Sequence, residues 1–294
     1  MKLKAFAKIN LGLDVVGKRE DGYHEVRMIM QTVGIFDRLE LKESSEPGIH
    51  VSTNLSFLPN DENNLVYKAA KLLMQEKGIE EGLSIRLDKH IPVAAGMAGG
   101  SSDAAAVLVG VNKLFHMGFS TGELMERGVK IGADVPYCVM RGTALSEGIG
   151  EILTPLAPMP DCHILVAKPP VNVSTKFVYE NLCLDTIEKH PDIDGMAQAV
   201  GRGNLLEIVE RMGNVLESVT EKNYPVIRDL KTFMKDRGAL GALMSGSGPT
   251  VFGIFQDLSS ARKACDDLRK TEMARQIYLT APVNRKTESE KGDV

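Results

Sequence analysis

Hydrophobic and polar positions alternate along the first half of the chain with two different periods. A period of two, typical of half-buried strands, runs through residues 4–16, 38–42 and 83–87, and residues 49–53 form a short β-prone run. Residues 64–77 instead place apolar side chains at helical spacing, and Gly78 follows as a helix stop. The first half is therefore predicted to be a mixed α+β domain.

Prolines interrupt this pattern in the middle of the chain. Pro155, Pro158 and Pro160 lie close together, and such a stretch can sustain neither a helix nor a central strand. We therefore expect an N-terminal domain at 1–155, a C-terminal domain at 161–284 and a disordered polar tail at 285–294. The second domain is also predicted to be α+β, with strands at 163–167, 241–244, 250–255 and 277–279, a helix at 259–268, and helices starting at Ser174, Asn204 and Pro225.

Composition and charge narrow the classes of protein to consider. The 294 residues are 43% hydrophobic and 25% charged, as in soluble globular proteins, and the formal net charge is −4. This charge gives no electrostatic reason to bind nucleic acid or an anionic membrane, so any phosphate binding must be local. No leader sequence and no apolar run of about 18 residues can be seen, which predicts a cytoplasmic protein.

The most informative segment is rich in glycine and leads into a helix. Residues 92–106 read PVAAGMAGGSSDAAA. Small residues let the backbone approach a ligand closely, and the unpaired amides and dipole of a helix start favour a phosphate. The segment matches neither GxxxxGK[ST] nor GxGxxG, which indicates a nucleotide kinase of another lineage. The alternative is an ordinary helix start, capped by Ser101, Ser102 or Asp103.

Other segments accompany this one in a fixed order. AKINLGLDV and REDGYHEV lie near the start, GADVPYCV in the middle and LMSGSGPTVFG near the end. Residues 7–11, 92–106 and 244–253 resemble the three signature motifs of the GHMP kinases, the superfamily of galactokinase, homoserine kinase and the mevalonate kinases. The resemblance implies a two-domain α+β fold, with an N-terminal domain of the ribosomal protein S5 domain 2 type and a C-terminal α+β domain.

Within this superfamily the amino-acid sequences of these segments resemble those of one group of kinases. These kinases use ATP to phosphorylate the 2-hydroxyl of 4-diphosphocytidyl-2-C-methyl-D-erythritol in the non-mevalonate isoprenoid pathway. The resemblance implies that ATP is bound by the glycine-rich segment, through Pro92, Val93, Ala94, Ala95, Gly96, Met97, Ala98, Gly99, Gly100, Ser101 and Ser102.

The resemblance also assigns the chemistry to two residues. Asp134 matches the family's catalytic aspartate, which accepts the proton of the acceptor hydroxyl, and Pro136 is expected to stop the helix pattern and leave that carboxylate on a fixed loop. Lys8 is implied to lie beside Asp134 and to steady the charge on the transferred group. Without the resemblance, Lys8 would be interpreted as an edge-strand lysine facing solvent and Asp134 as a turn or N-cap aspartate.

The implied acceptor site begins with aromatic residues. Tyr23 and His24 match residues that hold the cytosine, and Tyr179 matches a second aromatic wall, where stacking on a base is worth about 1–3 kcal/mol. The alternatives are that Tyr23 and His24 simply follow an Asp21-Gly22 hairpin turn and that Tyr179 belongs to the core.

Further acceptor contacts are implied around the polyol and the diphosphate. Asn10 shares a strand face with Lys8 and would bind the polyol, unless it is a structural asparagine. The SGSGPT turn, with Gly246, Ser247 and Gly248, would lie near the phosphates, and it is also a good hairpin connection. Weaker candidates for substrate contact are Thr175 and Asn64.

Mg²⁺ is expected to accompany ATP, but no metal site is assigned. Such an ion bridges the β- and γ-phosphates and has few protein ligands, with Ser102 a candidate by analogy. The widely spaced cysteines contain no CxxC pair and do not indicate zinc. The only partner expected is the small-molecule substrate, and the protein is expected to be a monomer or a homodimer.

Two alternative functions differ from this prediction in the residues they need. A GHMP kinase for homoserine or a mevalonate-type acceptor would not need the DGYH segment or an aromatic residue opposite it, because those acceptors carry no base. A non-catalytic ligand sensor of the same fold would be expected to lose Lys8, Asp134 or the glycines of the loop. This chain has all of these features.

Overall fold

A computed structural model describes residues 1–285, so the predicted tail lies outside the described residues except for Arg285. By its internal contacts the chain forms two compact units. The first unit contains residues 1–7, 35–93 and 98–140, and the second contains residues 8–34, 94–97 and the described residues from 141 onward. The expected domains at 1–155 and 161–284 stay a prediction.

The first unit combines a small sheet with four helices. Its strands are the beginning of β1 (Lys2–Lys18), the end of β2 (His24–Ser44), β3 (Ile49–Thr53) and β4 (Gly82–Asp88). Its helices are α1 (Leu65–Lys77), α2 (Gly99–Leu114), α3 (Thr121–Val129) and α4 (Val135–Met140). β4 runs antiparallel to β2 and parallel to β3, α1 packs on α2, and α4 packs on both α2 and α3.

Helix α1 shows how local sequence sets these boundaries. The side chain of Asn64 accepts a hydrogen bond from the amide of Val66, and Gly78 ends the helix in the left-handed conformation with φ of 62°. The buried face is apolar and consists of Val66, Ala69, Ala70, Leu73 and Met74. The predicted helix over 64–77 and its stop at Gly78 are confirmed.

A buried group of charges fixes the chain just before the glycine-rich segment. The ammonium of Lys89 donates to Asp37 and, over 2.7 Å, to Asp103, and all three side chains are almost completely buried. Asp37 also accepts the backbone amides of His90 and Ile91. Burial works against the charged lysine, yet the two carboxylates raise the pKa of Lys89. Burial, and then the charge of Asp37, raise the pKa of Asp103 well above its usual value.

The second unit contains the remaining strands and helices. Besides the other parts of β1 and β2, its strands are β5 (Thr143–Glu147), β6 (Ile152–Pro155), β7 (His163–Lys168), β8 (Gly213–Asn214), β9 (Gly241–Met244), β10 (Val251–Phe255) and β11 (Gln276–Thr280). Its helices are α5 (Thr175–Glu180), α6 (Ile193–Gly201), α7 (Leu205–Glu210), α8 (Glu217–Asn223), α9 (Val226–Lys235) and α10 (Leu258–Leu268), with a 3-10 turn at Leu184–Thr186.

One antiparallel sheet forms the centre of this unit. Its strand order is β11-β7-β10-β9, and α9 and α10 pack against it. Elsewhere β1 pairs in parallel with β8 at Gly12 and Gly213. Strand β5 pairs antiparallel with β2 on one side and with β6 on the other. The sheet buries the apolar runs of β7, β9 and β10, so their continuous hydrophobicity is that of strands covered on both faces.

Most predicted elements of the second half are confirmed, and their boundaries agree to within a few residues. Ser174 and Asn204 cap α5 and α7 with their side chains, and Pro225 precedes α9. Strands were expected at 163–167, 241–244, 250–255 and 277–279, and β7, β9, β10 and β11 occupy those places. Helices α6 and α8 and strand β8 are not among the predicted elements, and Pro155 ends the short strand β6.

The raised pKa of Asp103 makes a prediction about stability. A folded-state pKa above the unfolded value means that folding binds a proton, so Asp103 lowers stability increasingly as pH rises above about 4. Asp103→Asn keeps an acceptor for Lys89 and removes this loss. We expect the unfolding temperature of the variant minus that of the unchanged protein to be about 2–4 °C larger at pH 8 than at pH 5. This change corresponds to about 1 kcal/mol. A difference that does not change with pH would show that Asp103 stays ionised throughout.

Candidate active site

The backbone of the glycine-rich segment turns sharply before helix α2. Ala94, Gly96 and Ala98 have φ values of 51°, 72° and 54°, in the left-handed region. The helix begins at Gly99, and the Ser102 amide donates to the Ala98 carbonyl over 2.8 Å. The amides of the preceding first turn have no partner within the helix. The segment therefore has the backbone geometry of an anion-binding helix start.

The alternative explanation, a side-chain cap, does not hold for this helix. The N-cap residue is Ala98, and no side chain caps α2. The Ser102 hydroxyl instead donates to the carbonyl of Phe6 over 2.5 Å, and Asp103 is paired with Lys89. Ser102 and Asp103 thus hold the helix to neighbouring residues, and no side chain caps its N-terminal amides.

In the second unit, residues 94–97 pack directly against the SGSGPT turn. The hydroxyl of Ser245 donates to the carbonyl of Gly96 over 2.9 Å. A Cβ atom on Gly96 would lie 2.1 Å from the carbonyl oxygen of Ser245, so only glycine fits there. Gly246 and Gly248 of the turn also have positive φ, 58° and 85°. Two segments far apart in the sequence therefore form one backbone surface.

Lys8 and Asn10 lie beside this surface on strand β1. Lys8 is only 5% exposed, so the interpretation of Lys8 as an edge lysine facing solvent is wrong. Its ammonium donates to Oδ1 of Asn10 over 2.6 Å, and its amide donates to the carbonyl of Met97 over 3.2 Å. The amide nitrogen of Asn10 donates to Sδ of Met28 over 3.3 Å. The predicted shared face of Lys8 and Asn10 is confirmed.

Asp134 is the residue immediately before helix α4. Its carbonyl accepts the amide of Cys138 over 3.0 Å, so the backbone of Asp134 begins the helix. The expectation that Pro136 stops a helix is wrong, because Pro136 lies in the first turn of α4, where a missing N–H costs nothing. Asp134 belongs to the first unit and Lys8 to the second, and their pairing stays a prediction.

Two of the predicted aromatic residues are in contact. The rings of His24 and Tyr179 have centroids 5.1 Å apart and are tilted by 38°. Tyr179 is half-buried, so it does not belong to the core. Burial of the ring, and then the charge of Lys18, lower the pKa of His24, which favours a neutral imidazole at pH 7.

Tyr23 lies on the hairpin that the Asp21-Gly22 step predicts. β1 ends at Lys18 and β2 begins at His24, Gly22 has φ of 86°, and Asp21 accepts the Tyr23 amide over 3.0 Å. Tyr23 is 60% exposed. The hairpin therefore presents an aromatic side chain to solvent, next in sequence to His24.

The remaining predicted substrate residues are placed in two different units. In the second unit the hydroxyls of Thr175 and Ser247 are 2.8 Å apart, so helix α5 and the SGSGPT turn meet there. In the first unit Asn64 caps α1 and donates to the carbonyl of Pro59 over 2.7 Å. The oxygen and the nitrogen of the Asn64 side chain therefore each make a hydrogen bond within the fold.

The described residues do not form a dedicated cage for a metal ion. None of their His, Cys, Asp and Glu side chains gather in groups of three that could hold one. The hydroxyl of Ser102 donates a hydrogen bond to the backbone carbonyl of Phe6, which leaves the oxygen lone pairs of Ser102 for a cation. These groups fit an ion that arrives with a nucleotide and not a permanently bound one.

Comparison with known proteins identifies the family. The sequence model for the N-terminal domain of GHMP kinases matches residues 64–142, and the model for their C-terminal domain matches residues 196–273. The chain belongs to the GHMP kinases. The predicted two-domain GHMP kinase fold is confirmed, and ATP is the phosphoryl donor in this family.

Relatives of this GHMP kinase are similar over nearly its whole length. A protein of Lachnospira eligens is 58% identical over 280 residues, which cover 95% of this chain and 97% of the relative. A protein of Lachnoclostridium phytofermentans is 56% identical over 280 residues, which cover 95% of this chain and 96% of the relative. Both carry the name 4-diphosphocytidyl-2-C-methyl-D-erythritol kinase. A crystal structure of 4-(cytidine 5'-diphospho)-2C-methyl-D-erythritol kinase has a TM-score of 0.83, 33% identity, and covers 97% of this chain and 100% of its own.

More distant GHMP kinases share the fold alone. Homoserine kinase from Cytophaga hutchinsonii has a TM-score of 0.73 at 20% identity, with 95% of this chain and 93% of its own covered.

In the part of the chain that the structure describes, no helix has the length and apolar character needed to span a membrane.

The fit between Gly96 and Ser245 can be tested with a matched pair of variants. Gly96→Ala adds a Cβ that collides with the Ser245 carbonyl, whereas Gly203→Ala has a similar φ of 64° and nothing within 4 Å. Both should lose about 1–2 kcal/mol of stability from the left-handed backbone. Only Gly96→Ala should also lower kcat/KM for ATP-dependent phosphorylation, by about 10²-fold, the scale for a displaced active-site group. Equal activity in the two variants would show that this contact does not shape the site.

Proposed function

We propose that this GHMP kinase transfers the γ-phosphoryl group of ATP to the 2-hydroxyl of 4-diphosphocytidyl-2-C-methyl-D-erythritol. The observation that carries the proposal is the contact between the His24 and Tyr179 rings, 5.1 Å between centroids, in a protein otherwise built as a small-molecule kinase. Relatives between 46% and 58% identical, over at least 95% of this chain, carry the name of that kinase. The reaction belongs to isoprenoid precursor synthesis by the non-mevalonate route.

The aromatic pair suits an acceptor that carries a base. Tyr179 and His24 are partly exposed, and Tyr23 follows the same hairpin as His24. A neutral imidazole and a phenol both offer a ring face for stacking, which is worth about 1–3 kcal/mol per base. Homoserine and mevalonate carry no base, so acceptors of that type give these rings no function. The homoserine and mevalonate alternatives are therefore disfavoured.

Asp134 and Lys8 perform the chemistry in this proposal. The acceptor's 2-hydroxyl oxygen forms a bond to the γ-phosphorus, the bond from that phosphorus to the β,γ-bridging oxygen breaks, and ADP leaves. Asp134 takes the hydroxyl proton. Lys8 offsets negative charge on the transferred group, and its hydrogen bond to Asn10 holds the ammonium in place. Phosphoryl transfer depends mainly on positioning and electrostatics, which buried, hydrogen-bonded groups provide.

The donor side of the reaction uses the glycine-rich segment from Pro92 to Ser102. The first-turn amides of α2 and the dipole of this 16-residue helix favour the phosphates of ATP. Mg²⁺ would be held mostly by those phosphates and by water, with Ser102 as a protein ligand, and would neutralise charge between the β- and γ-phosphates. A cytoplasmic location and a monomeric or homodimeric state remain part of the proposal.

A panel of acceptors tests the proposal directly. The purified protein is incubated with ATP, Mg²⁺ and, in turn, 4-diphosphocytidyl-2-C-methyl-D-erythritol, homoserine, mevalonate or phosphomevalonate, and ADP release is coupled to NADH oxidation. We expect turnover with the cytidine substrate alone. Phosphorylation of homoserine or mevalonate in its place would overturn the proposal, and no ADP release with any acceptor would favour a non-catalytic sensor.

The role of Asp134 can be separated from nucleotide binding. Asp134→Asn keeps the size of the side chain and removes its basicity. We expect turnover to fall by about 10²-fold or more, the scale of a general base, while the dissociation constant for ATP changes little. Steady-state kinetics and titration with a non-hydrolysable ATP analogue measure the two quantities. Near-normal turnover would remove Asp134 from the mechanism.

A further inference from the structure

A buried asparagine outside the predicted site holds the backbone of the SGSGPT turn. Asn214, on the short strand β8, is 6% exposed. Its Nδ2 group donates to the carbonyls of Met244 over 2.9 Å and of Gly246 over 2.8 Å. Its Oδ1 atom accepts the amide of Leu216 over 3.0 Å. Both N–H groups of this carboxamide are used, and both hold the turn.

A partly buried carboxylate holds the same turn at its entrance. Glu217 is the first residue of α8, and its Oε1 atom accepts the Met244 amide over 2.8 Å. Its Oε2 atom accepts the ammonium of Lys231 over 2.6 Å, and Lys231 also donates to Glu221 over 2.7 Å. The chain from β8 to α8 thus binds the N–H of Met244 through Glu217 and its C=O through Asn214.

These external hydrogen bonds act on a turn that is rich in glycine. Gly246 and Gly248 have no side chains with which to fix themselves, and both have positive φ. Glycine also loses more conformational freedom on ordering than other residues do. The turn has backbone hydrogen bonds of its own, from the Gly248 amide to the Ser245 carbonyl and from the Ser245 amide to the Thr250 carbonyl. The hydrogen bonds from Asn214 add a directional restraint, because two carbonyls must point at one amide group.

The restraint extends from the turn to the residues of the acceptor site. Gly246 packs so closely that a Cβ atom would lie 3.3 Å from the Gly96 carbonyl and 3.6 Å from Oδ1 of Asn10. Ser247, the next residue, meets the hydroxyl of Thr175 over 2.8 Å. A turn that moves would therefore displace Asn10 and Thr175, whereas the glycine-rich segment is also held by the hydrogen bond from the Lys8 amide to the Met97 carbonyl and by its continuation into α2.

We propose that Asn214 is a positioning residue of this kinase, which sets the SGSGPT turn and through it the acceptor contacts of Asn10 and Thr175. Asn214 acts through the backbone of the turn and touches neither reactant. The inference rests on the proposed function for the identity of the acceptor. Asn214 lies in a two-residue strand, at a place where the sequence shows no motif.

The test compares Asn214 with a buried amide that has the same hydrogen bonds elsewhere. Gln31, also in the second unit, donates from Nε2 to the carbonyls of Thr32 over 2.8 Å and of Val283 over 3.3 Å, and its Oε1 accepts from Thr143 over 2.6 Å. Asn214→Asp and Gln31→Glu each replace a two-proton donor with a group that repels two carbonyls. Both variants should lose stability by a similar amount.

The kinetic constants distinguish positioning from a structural role. For Asn214→Asp we expect KM for the acceptor to rise about tenfold, which corresponds to about 1.4 kcal/mol, with KM for ATP within about twofold of the original value. For Gln31→Glu both KM values should stay unchanged, since lost stability alone lowers only the amount of active enzyme. Asn214→Ser, which retains one donor, should show a smaller rise in acceptor KM.

The outcomes separate this inference from the proposed function. Acceptor KM values within about twofold of the original in Asn214→Asp and Asn214→Ser would overturn the positioning role. If Asn214→Asp is not recovered in folded form, Asn214→Ser decides by the same criterion. If the unchanged protein does not phosphorylate the cytidine substrate, the proposed function fails first, and the variants are compared with whichever acceptor of the panel it does use.

Discussion

The arrangement of the predicted site residues in the second unit depends on one close backbone approach, that of Gly96 to the carbonyl of Ser245. No side chain can stand between these two segments, since a Cβ atom would come within 2.1 Å of that oxygen. The contact brings a stretch from early in the chain against one from near its end, and the amide of Lys8 donates to the carbonyl of Met97 in the same stretch. Glycine is required here by packing as much as by φ.

Buried polar groups then give this backbone contact its direction. Asn10, Asn214 and Ser245 are all buried and all hydrogen-bonded, to Lys8, to the turn and to Gly96 respectively. A buried polar group without a partner is costly, so each of these side chains disfavours backbone arrangements in which its partner is absent. In the first unit, Asp37, Lys89 and Asp103 fix the chain before the glycine-rich segment in a similar way.

Regular periodicity made much of the fold predictable, and the misses have identifiable causes. The helix at 64–77 and the strand at 49–53 were found because their patterns and caps are local. The front of β2 was missed because its residues are mostly buried and show little alternation. Strand β8 has two residues, too few for any period, so Asn214 could not be found from the sequence. Helix α4 was misread because its proline lies in the first turn.

The site was predicted mainly through resemblance and only partly through pattern. Alternation along β1 favoured a lysine that faces solvent, and burial of Lys8 depends on contacts with residues remote in sequence. The contact of His24 with Tyr179 likewise joins positions that no local signal connects. The Asp21-Gly22 hairpin, in contrast, was readable from two residues, because its turn chemistry is local.

The hydrogen bond from Lys8 to Asn10 also fixes which way round the carboxamide of Asn10 must face. Its oxygen accepts a hydrogen bond from the ammonium, and its nitrogen has a second N–H besides the one that donates to Sδ of Met28. Under the proposed function, an acceptor hydroxyl bound by that second N–H would offer an oxygen lone pair and keep its own hydrogen turned away. Asn10 would then impose a polarity on the acceptor of the proposed reaction: the oxygen is held by a donor, and the proton remains available to a base elsewhere.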